Sequence, residues 1–232
     1  MLSYIDTSRR DTTLTKGIYV EQVSITMQPG KRSWVHSALA LRVVENDRDV
    51  TLVNDIWMRR HYLGGRPSKP KAKRLSYLGD LKGIYDPGSA GAAVAVTIAL
   101  QPSASTPIKV LRTEYGIHPC SILELVRCWR ADDLGPSVAP DLTPYTLRRI
   151  IKGGNGVLPL KTEWEARKLS GGLEAPAKVL ITYADPSLGH DGGLYRGAGA
   201  IEFGKTANGK LAFVWPLEQG LVINSITQEI GQ

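Results

Sequence analysis

Tyr183, Asp185, His190 and Tyr195 stand close together in "LITYADPSLGHDGGLYRGAG", Leu180 to Gly199, interspersed with Gly189, Gly192, Gly193, Gly197 and Gly199. The stretch begins as an apolar strand and turns abruptly polar. A carboxylate, an imidazole and two phenols are groups that hold or move protons. Glycines let a backbone come close to a ligand or to a neighbouring strand. Open sheets gather ligands beyond the carboxyl ends of their strands, so Asp185 and Tyr195 are candidate catalytic residues. Tyr183, His190, Gly192 and Gly193 are candidate substrate-binding residues. A plainer role stands beside this one: Asp before Pro favours a turn or a helix N-cap, and the glycines suit tight packing of a short helix. Asp, His and two Tyr also form an oxygen-and-nitrogen donor set for a metal, but no His-x-x-x-His or carboxylate–His triad spacing accompanies them. No GxGxxG fingerprint forms, so a dinucleotide fold is not expected.

Two further groups of side chains invite chemistry. "SILELVRCW" reads as a strand, and simple alternation puts Glu124 and Arg127 on opposite faces. An Arg directed into a cleft suits a carboxylate or phosphate, because its donors form a planar fork; the alternative is a pair of strand charges, each with its own partner. Earlier in the chain, Arg59, Arg60, Arg66, Lys69, Lys71, Lys73 and Arg74 crowd one Gly/Pro/Lys-rich loop, with Tyr62 and Tyr77 nearby. Seven cations so close repel one another unless an anion or solvent screens them. Duplex phosphates would supply that partner, and tyrosines can stack on a displaced base.

The whole chain fits this basic character. It has 232 residues with 29 Lys plus Arg against 22 Asp plus Glu, a formal charge of +7. Either a polyanionic partner such as DNA or RNA or a merely basic protein satisfies that balance. Apolar residues make up 42 %, which points to a packed core rather than disorder. Cys120 and Cys128 are too few for a disulfide framework and lack metal-site spacing, so a reduced, cytoplasmic protein is expected. Neither a signal peptide nor a membrane-length apolar run is apparent.

The elements that must position these groups follow from periodicity. Residues 1–16 read as a flexible N-terminus, and 17–232 as one domain. "GIYVEQVSITM" and "SALALRVVE" alternate as strands within 17–45. Val50, Val53, Ile56 and Trp57 recur at helical spacing from about Asp49 to Tyr62. "RLSYLGDLKG", "AAVAVTIAL" and "SILELVRCW" are three more strands. "TPYTLRRIIKG" predicts a helix with Thr143 as N-cap, Pro144 at the first helical position and Gly153 near the stop. "KTEWEARKLSGG" is a second helix, "AKVLITYAD" a buried strand, and the Gly-rich segment a helix from near Asp191 to Phe203. "KLAFVWPL" and "GLVINSITQ" close the chain as strands within 207–232. Such alternation predicts an α/β or α+β fold with part of the sheet antiparallel.

Three segments, "HYLGGRP", "ELVR" and "YADPSLGHDGGLYRGAG", together resemble the Mom family of phage DNA adenine-modification proteins, a branch of the GNAT acyltransferase-like fold. The matching residues are His61 and Tyr62; Glu124, Leu125 and Arg127; Ala184, Asp185 and Pro186; Gly189 and His190; and Gly193, Leu194, Tyr195 and Ala198. Order and spacing agree from roughly Asp49 to Phe203, and residues 46–206 form the core of the resemblance. The chain departs at "RGAGAIEFG", where the family usually carries an Asn-Trp pair.

The resemblance implies a GNAT-like mixed central sheet flanked by helices, with an N-terminal β arm. It implies a bacteriophage enzyme that adds a small carbamoylmethyl- or acyl-type group to the exocyclic amine of adenine in double-stranded DNA, an anti-restriction modification. That amine lies inside the base stack, so the base would be flipped into a pocket. Tyr62, Asp185 and Tyr195 would line the pocket, Arg127 would orient the donor, and His61 and Glu124 would contact substrate. An iron requirement is also implied. Coenzyme A (CoA) is not the expected donor: "RADDLGPSVAP" stands where a pyrophosphate-binding turn belongs, yet it is acidic and has one glycine. Two alternatives remain, an N-acyltransferase on a small-molecule or protein amine and a non-catalytic nucleic-acid binder.

Overall fold

Leu39 and Leu41 are buried and Arg42 is exposed, the period-two pattern of a strand with one covered face. That strand is the first element in a computed structural model that describes residues 39–59, 74–81, 94–102, 108–130, 141–154, 156–167, 176–225 and 229–230. The expected N-terminal strand at "GIYVEQVSITM", the residues Arg60, His61, Tyr62, Arg66, Lys69, Lys71 and Lys73, and the stretch 131–140 lie outside the described residues.

β1 (Leu39–Val43) leads into α1 (Asp47–Arg59), β2 (Leu75–Leu81), β3 (Val94–Pro102), α2 (Ile108–Tyr115) and β4 (Ile122–Arg130). Then come α3 (Leu142–Lys152), α4 (Leu160–Arg167), β5 (Val179–Ala184), α5 (Gly193–Gly197), β6 (Ile201–Thr206), β7 (Leu211–Pro216) and β8 (Glu229–Ile230). The strands form one sheet in the order β1-β2-β3-β4-β5-β7-β6-β8. β4 and β5 run parallel, as do β6 and β8, and every other pair is antiparallel. This is the mixed central sheet flanked by helices that was expected.

Two apolar clusters hold the sheet. One joins Leu39, Leu41, Tyr77, Ile98, Leu100, Leu123, Leu125 and Leu180 to Leu147 and Ile150 of α3 and Leu160 and Trp164 of α4. The other joins Leu111 of α2 and Ile117 to Ile122, Val179, Ile181, Phe203 and Val214. Leu180 lies in the first and its neighbours Val179 and Ile181 in the second. β5 is thus covered on both faces, which is why it reads as an unbroken apolar run. Each such side chain contributes about 1.5–3 kcal/mol on burial.

α1 begins where Asn46 Oδ1 accepts the Asp49 N–H at 2.8 Å, a side-chain cap that satisfies one otherwise orphaned donor. Its buried face is Val53, Ile56 and Trp57. Arg42 of β1 ties the helix to the sheet: its guanidinium donates to both Asp49 oxygens, at 3.0 and 3.1 Å, and to Asp80 of β2. Burial opposes the Arg42 charge, but these bonds outweigh it and hold the group protonated. In turn, Arg42 holds the Asp49 carboxyl below the usual carboxylate range.

Four expectations are corrected. α2 was not anticipated, although Ile108, Leu111 and Tyr115 are spaced helically. α3 starts at Leu142 with Asp141 at the N-cap position, so Thr143 lies inside the helix; Gly153 does end it, with φ 79°. The Gly-rich helix covers only Gly193–Gly197, because residues from Ile201 pair with β7. Residues 221–225 form no strand, and the terminal strand is β8.

Candidate active site at the opening between two parallel strands

The parallel pair in the middle of the sheet is short. Ile122, Leu123 and Glu124 pair with Val179, Leu180 and Ile181, and there the ladder stops. β4 continues to Arg130 and β5 to Ala184. Beyond Glu124 and Ile181 the sheet therefore opens between two strands that no longer share backbone bonds. The contact at the start of the opening is a side chain: Thr182 Oγ1 donates to the Leu125 carbonyl at 3.0 Å. On its other edge β4 is bulged. Leu125 faces Leu100 and Arg127 faces Ala99, leaving Val126 as an extra residue. Such a bulge bends a strand and re-aims its side chains.

The bulge corrects a prediction. From Leu125 to Arg127 the chain takes two steps along β4 for one along β3, so the alternation shifts at Val126 and Glu124 and Arg127 fall on one face. They do not lie on opposite sides. Because Glu124 pairs with Ile181, that face is the one covered by α2. Arg127 Nη1 donates to the Val126 carbonyl at 2.9 Å, which curls the side chain back over the bulge. The neighbouring Cys128 thiol is pushed up to about 12 by burial, so it stays protonated at neutral pH. Cys120 and Cys128 are both free thiols.

On the other face, α5 is set by tight local geometry. Gly192 precedes it with φ 81°, and a Cβ there would stand 2.1 Å from the Phe213 ring. Asp191 Oδ1 accepts the Gly193 N–H at 2.8 Å. Arg196 then clamps the turn: it donates to the Asp191 carbonyl and to Glu202 Oε2, both at 2.7 Å, and lies over Phe213 at 5.7 Å. Trp215 Nε1 donates to the Ala198 carbonyl at 3.2 Å, and Arg148 of α3 donates to that of Gly197. The result fixes the Tyr195 ring against Phe213, 5.4 Å away, and edge-on to Trp215 at 6.0 Å. Phe213 pairs with Thr182, so Tyr195 and the Thr182 bridge occupy the same side of the sheet.

Asp185 continues β5 past its last paired residue. Its Oδ1 accepts from the Ser187 N–H at 3.1 Å and the Ser187 hydroxyl at 2.5 Å, and Lys210 Nζ is 3.7 Å from Oδ2. The Ser187 hydroxyl foremost, then the Ser187 N–H and Lys210, holds this carboxyl below its ordinary range, so it is an anion at neutral pH. The turn and N-cap role foreseen for it is present. His190 is exposed on the same turn and donates its backbone N–H to the Asp185 carbonyl at 3.1 Å. Tyr183 is half-buried against the α2-side cluster, on the face opposite Tyr195.

Asp185 thus stands in the turn that follows β5, Tyr195 lies on the Phe213 side of the sheet, and Arg127 lies on the face covered by α2. Of the basic stretch, the two described ends are anchored on α1. Arg59 pairs with Asp55 at 2.7 Å, and Arg74 bonds Asn54 at 3.3 Å and lies over Trp57 at 5.2 Å. Among the described residues no group of three or more His, Cys, Asp or Glu stands where it could hold a metal ion. No helix among them is long and apolar enough to cross a membrane.

No protein-family model matches the chain, and no curated protein matches it. Solved structures do resemble it. An aminoglycoside acetyltransferase in complex with coenzyme A and kanamycin aligns at 14 % identity and TM-score 0.44, over 77 % of this chain and 94 % of its own. A spermidine N-acetyltransferase from Vibrio cholerae, solved with CoA and spermine, aligns at 10 % and 0.45, over 78 % and 96 %. Arabidopsis thaliana NAA60, solved with acetyl-CoA, aligns at 9 % and 0.46, over 77 % and 98 %.

Thr182, Val126 and Arg196 were not foreseen as parts of this region. Thr182 carried a signal: it is the one aliphatic hydroxyl in β5, a strand that is otherwise apolar apart from Tyr183. Val126 and Arg196 carried none, because their roles depend on strands distant in sequence.

Proposed function

We propose that the chain is a GNAT-like transferase that moves a small acyl-type group onto an amine. The observation that carries this reading is the parallel β4–β5 pair, whose ladder ends at Glu124 and Ile181 while both strands run on; we take the space between them as a slot for the donor. A narrow donor arm fits between two such strands, with its reactive carbonyl near the bulge at Val126. The acceptor nitrogen attacks that carbonyl carbon and sheds a proton, and the bond to the donor's leaving group breaks. In this reading Tyr195, whose ring is held by Phe213 and Trp215, gives the leaving group its proton. The Asp185 anion favours a cationic amine at the mouth of the slot.

The step requires an acyl donor with a good leaving group, as a thioester has. Arg130 is the one residue of "RADDLGPSVAP" among those described, and the α3 start that follows offers the N–H groups of Leu142 and Thr143 but none from Pro144. With an acidic loop and few backbone donors, affinity for a CoA pyrophosphate should be weak.

The second reading, supported by the basic stretch Arg59–Arg74 and by the resemblance to the Mom family, makes the acceptor an adenine in double-stranded DNA. One experiment separates the two. The purified protein is incubated with labelled acetyl-CoA and, in turn, a polyamine, an aminoglycoside, a peptide and duplex DNA, while DNA from expressing cells is digested for nucleoside mass spectrometry. Label on a small amine or a peptide supports the first reading. A modified adenine without such labelling moves the assignment to DNA. Neither product overturns both.

A further inference from the structure

β5 is buried on both faces, and Thr182 within it is 1 % exposed. Valine has nearly the same shape and suits a strand as well. A buried hydroxyl is costly unless it is bonded, and this one donates to Leu125 at 3.0 Å. The position of the bond is informative. The last ladder pair is Glu124 with Ile181, and the next β4 residue after Leu125 is the bulged Val126. In a regular parallel ladder the Leu125 carbonyl would take a backbone N–H from β5. Here a side chain makes the cross-strand bond instead.

We infer that Thr182 is a positioning residue that sets the width of the opening between β4 and β5. Its hydroxyl holds the strands at one separation at the vertex, and the bulge at Val126 turns β4 away beyond it. A donor arm entering the slot meets a vertex of defined depth. The geometry stands without any assumption about activity; the consequence for the donor rests on the proposed transfer reaction.

Amide hydrogen exchange and steady-state kinetics on the full chain test this with Thr182→Val and Thr182→Ser. In Thr182→Val the amides of Val126, Arg127, Tyr183 and Ala184 should exchange about fivefold faster, the factor expected for one lost buried hydrogen bond. Those of Tyr77 and Ile98 in the β2–β3 pair should be unchanged, and Thr182→Ser should restore the wild-type pattern. KM for the acyl donor should rise by about the same factor, with kcat altered less than twofold. Unchanged exchange at the opening, or uniform acceleration across the sheet, overturns the inference. An exchange change without a KM shift overturns the link to the donor. If the wild type transfers no acyl group, the proposed reaction fails while the exchange pattern still decides the role of Thr182. Should the valine variant not fold, Thr182→Ala gives the same exchange readout.

Discussion

The Cζ atom of Phe213 lies where a side chain on Gly192 would begin, 2.1 Å from the Cβ position. The ring fills the space that glycine leaves, and it is the same ring that Tyr195 and Arg196 pack against. Gly192→Ala must displace the ring and also strain a backbone at φ 81°. Overpacking of this kind costs about 1–3 kcal/mol, and left-handed strain adds about 1 kcal/mol. Urea denaturation should show a loss within that combined range, with near-UV circular dichroism altered by the moved aromatic rings. A variant as stable as the wild type would mean that α5 does not sit on Phe213.

Tyr195→Phe retains the ring contacts with Phe213 and Trp215 and removes only the hydroxyl. Product formation should fall by 10²-fold or more, the usual scale of a lost acid–base group, while the melting temperature stays within a few degrees. Asp185→Asn tests the acceptor side: KM for a cationic amine should rise with little change for a neutral one. Full activity in both variants would remove these residues from the site.

Asp49 links stability to pH. Its folded-state pKa is depressed by Arg42, so the stability it contributes is complete above the unfolded carboxylate value of about 3.9 and is lost as pH falls through the lower folded value. Arg42 keeps 43 % of its side chain exposed, which moderates the effect. Asp49→Asn should cost about 1–3 kcal/mol at pH 7, and the gap to wild type should shrink below pH 4. Equal destabilisation at pH 7 and pH 3 would contradict the ion pair as its source.

The basic stretch can be tested by salt dependence. Replacing Lys69, Lys71 and Lys73 together with Ala should weaken duplex binding alike on all sequences, and each lost phosphate contact should flatten the log-affinity against log-salt slope by about 0.9. Arg59→Ala should change the slope less, because Arg59 is engaged by Asp55. An unchanged slope in the triple variant would take this basic stretch out of any DNA interface.

Local periodicity was enough to read β2, β3, β4, β5 and β7, the helices α1 and α4, and the end of α3 at Gly153, since each depends on which neighbouring residues bury one face. The polar turn after β5, with Asp185 as its cap, was legible for the same reason: Asp, Pro and Gly act through their own backbone. Pairing between distant strands decided the rest. A one-residue bulge reverses every later side chain on a strand, and nothing near Val126 announces that β3 will skip it, so the shared face of Glu124 and Arg127 emerged only from the β3–β4 register. Ile201 to Phe203 followed glycines that would suit a short helix, but pairing with β7 drew them into a strand. The gap between β4 and β5, spanned by Thr182 to Leu125, belongs to two segments 57 residues apart. Short-range preferences act over a few residues, whereas register and strand separation are properties of chains brought together by the core.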